Sequence, residues 1–478
     1  MRLSSDLSEN EALFKTRFKD GDVVFSYVKA GRRNALLLYI DALTDLTSLS
    51  EYVLAPLYKL RPLPKPEKIA ALIPKPGTRV VTEVKDVISS VIDGKAVLLF
   101  DGDSSALSID TKKFDSRSIA EPPTSAVVKG PREGFTESVK TNLSLIRRRL
   151  KTEKLKIVKL TVGRITKTDV FVLYLSNVTD DKIVNSVVRR VSLIDVDGAV
   201  DSSYVAKFIA ERKTSLFRQS GNTEKPDILA AKMLEGRVGI LVDGSPIALT
   251  VPYLLFEDFQ SSEDYFQSTY RSNMARVIRL ISITLAILLP SVFVSAQLFH
   301  LQIIPLNFLL TIVNSIKGIP LSPSLEMFFT LLVFEILNEA SVRMPKYVGM
   351  ALSVVGALVL GDTAVRAGIV STPTIMIMAL SGICLYTVPE LVDSMSFLRL
   401  IYLFVAGSLG GFGIIILTGL LIVYLVSLEN FDTPFLAPFS PLVKSDLKDG
   451  ITMAFLPDMK LRPVTLKPKN KVRINDEK

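Results

Sequence analysis

The C-terminal half of the chain contains long apolar runs that lack Asp, Glu, Lys and Arg. A membrane-spanning helix needs about 20 such residues to cross the hydrocarbon core, and three runs reach that length: 280–299, 367–389 and 400–428. Two more runs, 301–316 and 347–361, are near or below it. The pattern predicts three membrane spans and leaves the shorter runs open as tilted spans, re-entrant half-helices or buried segments.

The N-terminal half repeats a strand-turn-strand pattern. The segment DGKAVLLFDGDSSALSID at 93–110 aligns without gaps with EGRVGILVDGSPIALTVP at 235–252, and each carries an Asp-Gly turn between apolar runs. Upstream, ALLLYIDALTD at 35–45 matches VFVLYLSNVTD at 170–180, and a helical pattern follows both. The repeat predicts two α/β subdomains of similar fold.

A helical pattern lies between the two copies. Pro131 is placed to open a helix, and apolar residues then recur at helical spacing up to a run of arginines. The pattern predicts a connecting helix in 130–154, which carries Arg132, Glu133, Asn142 and Arg147.

These patterns predict an α/β cytosolic domain of two duplicated subdomains, followed by an α-helical multi-span membrane domain. The predicted order is a first subdomain at 1–129, the connecting helix at 130–154, a second subdomain at 155–270, a membrane domain of four to six helices at 271–430 and a basic, mostly disordered tail at 431–478.

Composition and charge support a membrane protein. The 478 residues are 48% hydrophobic, with a mean hydropathy of +0.36. The polar first ten residues predict no signal peptide, and Arg271, Arg276 and Arg279 before the first long run place the N-terminal part in the cytosol by the positive-inside rule. The net charge of +9 is best explained by contact with anionic membrane lipid, because no basic run interleaved with aromatics suggests nucleic-acid binding.

The residue inventory argues against an enzyme. The chain has one histidine and one cysteine, and it lacks a P-loop or a dinucleotide-binding fingerprint. No cofactor or metal site is therefore predicted. Asp101, Gly102, Asp243 and Gly244 are candidate ligand or interface turns, although the conformational needs of a tight turn explain them better.

Three ionisable residues are spaced by four in the stretch EILNEASVRMP. Glu335, Glu339 and Arg343 would therefore lie on one stripe of a helix. Acidic groups at membrane depth are costly and favour cations, so one interpretation is a stripe that lines or supports an ion path. The alternative is a neutralised pair, Glu339 with Arg343, that holds neighbouring helices together or reaches the interface.

Two further features belong to the same half of the chain. Asp362 and Arg366, again four apart, are either a pore mouth or gate, or a loop at the membrane interface, which is the commoner case. The glycines of GSLGGFG at 407–413 favour close helix packing rather than nucleotide binding, because no strand precedes them.

Several of these motifs together resemble one protein family. GPREGF and TNLSLIRRR within 130–149, EGRVGILVDGSPIALTVP, FQSSEDYF at 259–266 and EILNEASVRMP occur in the same order in the A subunits of GerA-type spore germinant receptors. The resemblance extends from about residue 30 to the last apolar run. A related spore membrane protein, the AF-type protein encoded with the VA-type dipicolinate channel components, shares much of the pattern.

The resemblance implies a multi-pass protein of the spore inner membrane, with its N-terminal domain on the spore core side. It implies a homo-oligomeric, ion-conducting A subunit that acts with a transporter-like B subunit and a lipoprotein C subunit, so that nutrient binding opens a cation path and triggers germination. A non-conducting scaffold that assembles the B and C subunits is the competing interpretation, and a secondary transporter is a third.

Overall fold

A computed structural model describes residues 1–474 except 20, 32, 61–63, 74, 76, 113–128 and 344–360. Two five-stranded antiparallel sheets with flanking helices form the N-terminal part, and long apolar helices follow. The predicted α/β class and the two sheets are confirmed.

The first unit contains a sheet of order β1-β2-β4-β5-β3. Its strands are Val23–Ala30 (β1), Arg33–Ile40 (β2), Arg79–Val81 (β3), Ala96–Phe100 (β4) and Ala106–Ile109 (β5). Its helices are Leu7–Arg17 (α1), Leu46–Leu49 (α2), which continues through a π-helical turn at Ser50–Leu54 into Ala55–Lys59 (α3), then Pro66–Leu72 (α4) and Val84–Ile92 (α5).

The second unit has a sheet of corresponding order, β6-β7-β9-β10-β8. Its strands are Leu155–Val162 (β6), Thr168–Leu175 (β7), Gly221–Thr223 (β8), Val238–Val242 (β9) and Ala248–Val251 (β10). Its helices are Val139–Arg149 (α6), Asp181–Ser192 (α7), Ser202–Ile209 (α8) and Pro226–Glu235 (α9).

The two sheets share their register as well as their order. Ala35 lies opposite Phe100 between β2 and β4, and Val170 lies opposite Val242 between β7 and β9, as the sequence alignment requires. Because one-residue slips would turn every side chain to the other face, equal register means that equivalent residues fill equivalent core positions.

The predicted connecting helix is the first helix of the second unit, and its predicted start at Pro131 is wrong. The N–H of Phe135 donates to the carbonyl of Glu224 (2.7 Å) and that of Thr136 to Oδ1 of Asn142 (2.8 Å), so this segment is held extended until α6 begins. Nδ2 of Asn142 also donates to the carbonyl of Thr136 at 2.6 Å, and in the first unit Asn10 of α1 makes the same pair of side-chain bonds with Ser4. Helix α6 is therefore the counterpart of α1.

Five helices whose full extent is described follow the second unit. They are Thr269–Phe299 (α10), Leu306–Ile316 (α11), Pro323–Arg343 (α12), Thr372–Leu385 (α13) and Val392–Val426 (α14), and residues 361–366 are also helical. Helix α10 packs against α12, α13 and α14. Among the described residues, two segments are long and apolar enough to cross a membrane: Thr269–Phe299 and Pro389–Val426.

The predicted single span at 400–428 is wrong, because α14 folds back on itself at Gly410. This residue has φ 63° and ψ −149°, which breaks the helix. The hydroxyl of Tyr402 then donates to Oγ1 of Thr418 at 3.0 Å. In a straight helix those residues would lie about 24 Å apart. The two arms of α14 therefore form an antiparallel hairpin, so the glycine run contains a turn.

The remaining predicted spans agree only in part with the helices. Helix α10 includes the run 280–299. Helix α13 has 14 residues, about 21 Å, so it covers only part of the run 367–389 and falls short of a full crossing. The run 347–361 lies outside the described residues except for its last position.

The prediction of a mostly disordered tail is wrong for residues 431–474. Phe431 and Phe435 are buried, and the N–H of Leu255 donates to the carbonyl of Phe435 at 3.0 Å. Further along, Nζ of Lys469 donates to Asp181 at 2.6 Å. The chain therefore leaves the second unit at α10 and returns to the same unit after α14.

Candidate functional site

A buried ion pair joins four of the apolar helices. The guanidinium of Arg399, 0% exposed on α14, donates from Nη2 to Oε1 of Glu335 on α12 at 2.6 Å. Its Nη1 donates to Oγ of Ser381 on α13 at 3.1 Å, and that hydroxyl donates to the carbonyl of Ala286 on α10 at 2.7 Å. Since an unpaired charge in an apolar helix is costly, this chain of bonds stabilises the arrangement of α10, α12, α13 and α14.

A second acidic residue is buried among the same helices. Glu326, in the first turn of α12, is fully buried. Its Oε1 accepts from the N–H (2.7 Å) and the hydroxyl (2.6 Å) of Ser371, just before α13, and its Oε2 has no partner among the described residues. The N-terminal end of α12 favours a negative group at this position.

The structure separates the predicted stripe of α12 into two parts. Glu335 binds Arg399, whereas Glu339 and Arg343 pair with each other, with Nε of Arg343 2.7 Å from Oε1 of Glu339. Their side chains are 64% and 77% exposed. The pair of the alternative interpretation is therefore present, and its place along an ion path stays a prediction.

Asp362 and Arg366 form an exposed pair of the same kind. Nε of Arg366 lies 2.9 Å from Oδ2 of Asp362, within the helical residues 361–366. The helix that brings the two residues together is present. Their predicted place at a pore mouth or in an interfacial loop stays a prediction.

Sequence reasoning missed Arg399 and Glu326. Arg399 directly precedes the charge-free run 400–428, and Leu398 and Leu400 on either side of it are apolar. Glu326 stands alone in an apolar stretch without a partner at helical spacing. The available signal for both residues was a single charge among apolar neighbours. Their partners could not be predicted from it, because Glu335 and Ser371 lie far away in the sequence.

A buried cluster fixes the base of α10 to the C-terminal segment. Asp264 accepts from Nε of Arg276 (3.1 Å) and from Nη1 and Nη2 of Arg279 (2.9 and 2.8 Å). Arg276 also donates to Asp449 at 2.8 Å, and Tyr265 donates to the same carboxylate at 2.6 Å. Burial opposes ionisation of Asp264, but the bonds from Arg279 and the N–H of Ser261 outweigh it, so its pKa lies below the ordinary value.

A neighbouring cluster links the second unit to the segment before α14. Arg218 donates to Asp258, to Glu390 and, at 2.9 Å, to the hydroxyl of Tyr253. Glu390 belongs to the 3₁₀ turn Pro389–Leu391, which leads into α14. Burial raises the pKa of Asp258 even though Arg218 opposes the shift.

A third group of charges completes this junction. Glu257 accepts from Nη2 of Arg237 at 2.9 Å and from Lys232. Burial opposes the ionisation of Glu257, but the two cations lower its pKa below the ordinary value. The second and third groups, together with Tyr265 of the first, line a cavity of about 440 Å³ between the second unit, the turn before α14 and the C-terminal segment.

The predicted turn residues have structural contacts in both units. Gly102 and Gly244 have φ 81° and 85°, a conformation that favours glycine. The N–H of Gly244 donates to the carbonyl of Glu137 at 2.9 Å, and Oδ1 of Asp243 accepts from the N–H of Val139 at 3.2 Å. The turn therefore holds the start of α6.

The first unit repeats this arrangement. The N–H of Gly102 donates to the carbonyl of Ser5, just before α1, and that of Asp101 to the carbonyl of Asn34, both at 3.0 Å. These contacts explain the four residues as turns, and a ligand or interface role stays a prediction.

Residues of the predicted connecting helix also make defined contacts. Arg147 is buried, and its Nε donates to Asp22 of the first unit at 3.1 Å, so α6 joins the two units. Arg132 and Glu133 precede α6, and Glu133 pairs with Arg149 at 3.0 Å.

Comparison with known proteins identifies relatives along most of the chain. The family described as Bacillus/Clostridium GerA spore germination protein matches residues 11–465. Spore germination protein KA of Bacillus subtilis is 33% identical over 98% of this chain and 88% of its own length. Spore germination protein B1 of the same bacterium is 32% identical over 99% of this chain and 100% of its own length.

Two other relatives match part of the chain. Uncharacterized membrane protein YfkQ of Bacillus subtilis is 38% identical over 80% of this chain and 75% of its own length. The crystal structure of the N-terminal domain of the A subunit of the Bacillus megaterium spore germinant receptor GerK3 is 30% identical, with a TM-score of 0.42, and covers 53% of this chain and 98% of that domain.

The resemblance seen in the sequence motifs is thereby confirmed. The family match extends over nearly the whole chain, and relatives more than 30% identical cover it almost from end to end. The chain belongs to the GerA family of spore germination proteins.

Proposed function

We propose that this chain is the A subunit of a spore nutrient germinant receptor and forms or supports an oligomeric, nutrient-gated cation channel that triggers germination. It acts with a transporter-like B subunit and a lipoprotein C subunit in the spore inner membrane. Its α/β units lie on the spore core side. Its relatives among spore germination proteins support the role in germination.

The observation that carries the channel proposal is the set of ionisable groups on apolar helices. Glu326 and Arg399 are buried in the helical part and Glu335 is half-buried beside Arg399, whereas Glu339 and Arg343 of α12 are exposed in the single chain. Exposed charges beside apolar side chains are costly in lipid, so we propose that they face a polar path shared by several copies.

We further propose a multi-pass topology with both ends of the helical part on the core side. The support is that residues 431–474 contact the second unit again after the helices. The chain can return to the same side of the membrane only if the helices cross it an even number of times. The arms of α14 would then enter and leave from the same side.

A scaffold that does not conduct is the second candidate, and the pairing of charges favours it. Glu335 with Arg399, Glu339 with Arg343 and Asp362 with Arg366 each form a neutral pair, which suits helix packing as well as an ion path.

Potassium and sodium efflux from liposomes that contain this chain with its B and C partners separates the two candidates. We expect nutrient-dependent flux, with a rate or cation selectivity altered by Glu339→Gln. Asp195→Asn, an exposed substitution in the second α/β unit, is the control and should leave the flux unchanged. No flux from a demonstrably intact complex would exclude conduction and favour the scaffold.

A further inference from the structure

The cavity between the second unit, the turn before α14 and the C-terminal segment is called the junction cavity. It contains a carboxylate of which one oxygen accepts a hydrogen bond and the other does not. The side chain of Asp258 is 1% exposed and lines the cavity. Its Oδ1 accepts from Arg218, whereas its Oδ2 is buried and receives no hydrogen bond of ordinary geometry from the described residues, although the hydroxyl of Tyr253 lies near the carboxylate and favours its charged form. A buried carboxylate oxygen without a donor is costly. A group that supplies a donor at this place would therefore bind favourably.

A second lining carboxylate has the same deficit. Asp227, in the first turn of α9, has a buried Oδ1 without a partner, and its nearest cation is Nζ of Lys225, 3.9 Å from Oδ2. The two aspartates lie on different elements and border one cavity. Each aspartate therefore has one carboxylate oxygen without a hydrogen-bond donor in the described part of the chain.

The charge of the cavity wall favours a cation. Its five carboxylates belong to Asp227, Glu235, Glu257, Asp258 and Glu390, and its four basic residues are Arg218, Lys232, Arg237 and Arg473. Arg218, Lys232 and Arg237 are already paired with lining carboxylates. An added anion would therefore meet three cations that already have partners, with Arg473 as the fourth basic residue of the wall, whereas an added cation meets the unused oxygens.

The shape of the cavity limits the ligand to a small organic molecule. Its volume of about 440 Å³ is in the lower part of the range of small-molecule sites. Ile228, Ala231 and Phe266 supply apolar contacts next to the carboxylates. A bare metal ion would leave this apolar wall uncovered.

We propose that the junction cavity binds a small organic cation, a primary ammonium or guanidinium on a short aliphatic body, with the charged group on Asp258. The proposal does not depend on whether the protein conducts ions. The same carboxylate binds Arg218, which also binds Glu390, so the ligand would share Asp258 with the bridge to the turn before α14.

The test is titration calorimetry on the purified full-length chain in detergent, with n-butylammonium and n-butylguanidinium as probes. n-Butanol is the matched uncharged probe. We expect saturable binding of one equivalent of at least one cation and none of the alcohol. Equal binding of the alcohol, or no saturable binding of either cation, would overturn the proposal.

Two variants locate the binding. Asp258→Asn keeps the shape of the side chain and removes its charge, so affinity should fall about tenfold or more. Ala231→Trp blocks the cavity from an exposed position of α9 without altering any charge and should have the same effect.

The controls are Asp195→Asn on an exposed loop and Leu234→Trp on the same helix, and both should bind as wild type. If Asp258→Asn does not fold, Ala231→Trp alone decides. Binding that keeps its wild-type affinity in Ala231→Trp would show that the cation binds elsewhere.

Discussion

The pair of Glu335 and Arg399 should show a large and asymmetric stability effect. The Glu335→Gln substitution removes the carboxylate that neutralises a guanidinium with 0% exposure, and Ser381 alone cannot replace it. Removing one partner of a buried ion pair costs about 3–5 kcal/mol. In Arg399→Met the remaining carboxylate is 31% exposed, so it is less desolvated than the guanidinium is in Glu335→Gln. This change should cost less, about 1–3 kcal/mol.

The double variant Glu335→Leu/Arg399→Met tests the coupling directly. It removes both charges and keeps apolar bulk, so its loss of stability should be much smaller than the sum of the two single losses. Residues in contact typically show an interaction energy of about 0.5–3 kcal/mol, and this pair should lie near the upper end. The assay is the free energy of unfolding of the full-length protein in detergent, measured by denaturant titration.

The adjacent pair on the same helix is the matched control. Glu339→Gln and Arg343→Met affect a pair whose side chains are 64% and 77% exposed, so each should change the free energy of unfolding by less than about 1 kcal/mol. If Glu335→Gln costs no more than Glu339→Gln, the buried pair does not stabilise the helices and the reasoning is wrong.

Three other predictions concern the junction, the hairpin and the repeat. Asp264→Asn should lower the free energy of unfolding at pH 7 by about 3–5 kcal/mol because it leaves two arginines without their shared partner. Because folding lowers the pKa of Asp264, its contribution to the free energy of unfolding is present above the ordinary value of 3.8 and is lost as the pH falls below it. Denaturant titrations at pH 7 and pH 3 should therefore show the stabilities of the variant and the wild type converging at the lower pH. A stability difference that stays constant would contradict this. Gly410→Ala should destabilise the protein by about 1–3 kcal/mol in thermal unfolding, because its backbone conformation suits only glycine and the added Cβ would lie 2.8 Å from the ring of Phe299, whereas Gly419→Ala has open space and should be nearly neutral. Asn142→Ala should make residues 130–138 more sensitive to trypsin, since its three bonds to Thr136 are lost, and equal cleavage of variant and wild type would exclude that role.

The α/β part was largely predictable because its signals are local. Apolar runs on either side of Asp-Gly predicted both hairpins, and their alignment predicted equivalent sheets. The start of α6 was misjudged at Pro131, since the bond from Phe135 to Glu224 that holds the preceding segment extended joins residues distant in sequence.

The helical part was less predictable because its decisive contacts are long-range. Hydropathy located the apolar runs, but it cannot distinguish one long helix from two arms folded at Gly410. The spacing of Glu335, Glu339 and Arg343 predicted a stripe, whereas Glu335 pairs with Arg399, 64 positions further along the chain. The basic tail was judged by its charge, although Phe431 and Phe435 decide its position.

The return of the C-terminal segment has a consequence for the order of synthesis. The surface that receives Phe431, with the guanidinium of Arg190 4.5 Å from its ring centroid, is translated long before Phe431 itself. All the apolar helices must be translated between these two events. An insertion error that leaves α14 ending on the wrong side would keep the segment from its receiving surface. We expect such molecules to expose this apolar patch and to be degraded first, which pulse-chase labelling of a Phe431→Asp variant against wild type would measure.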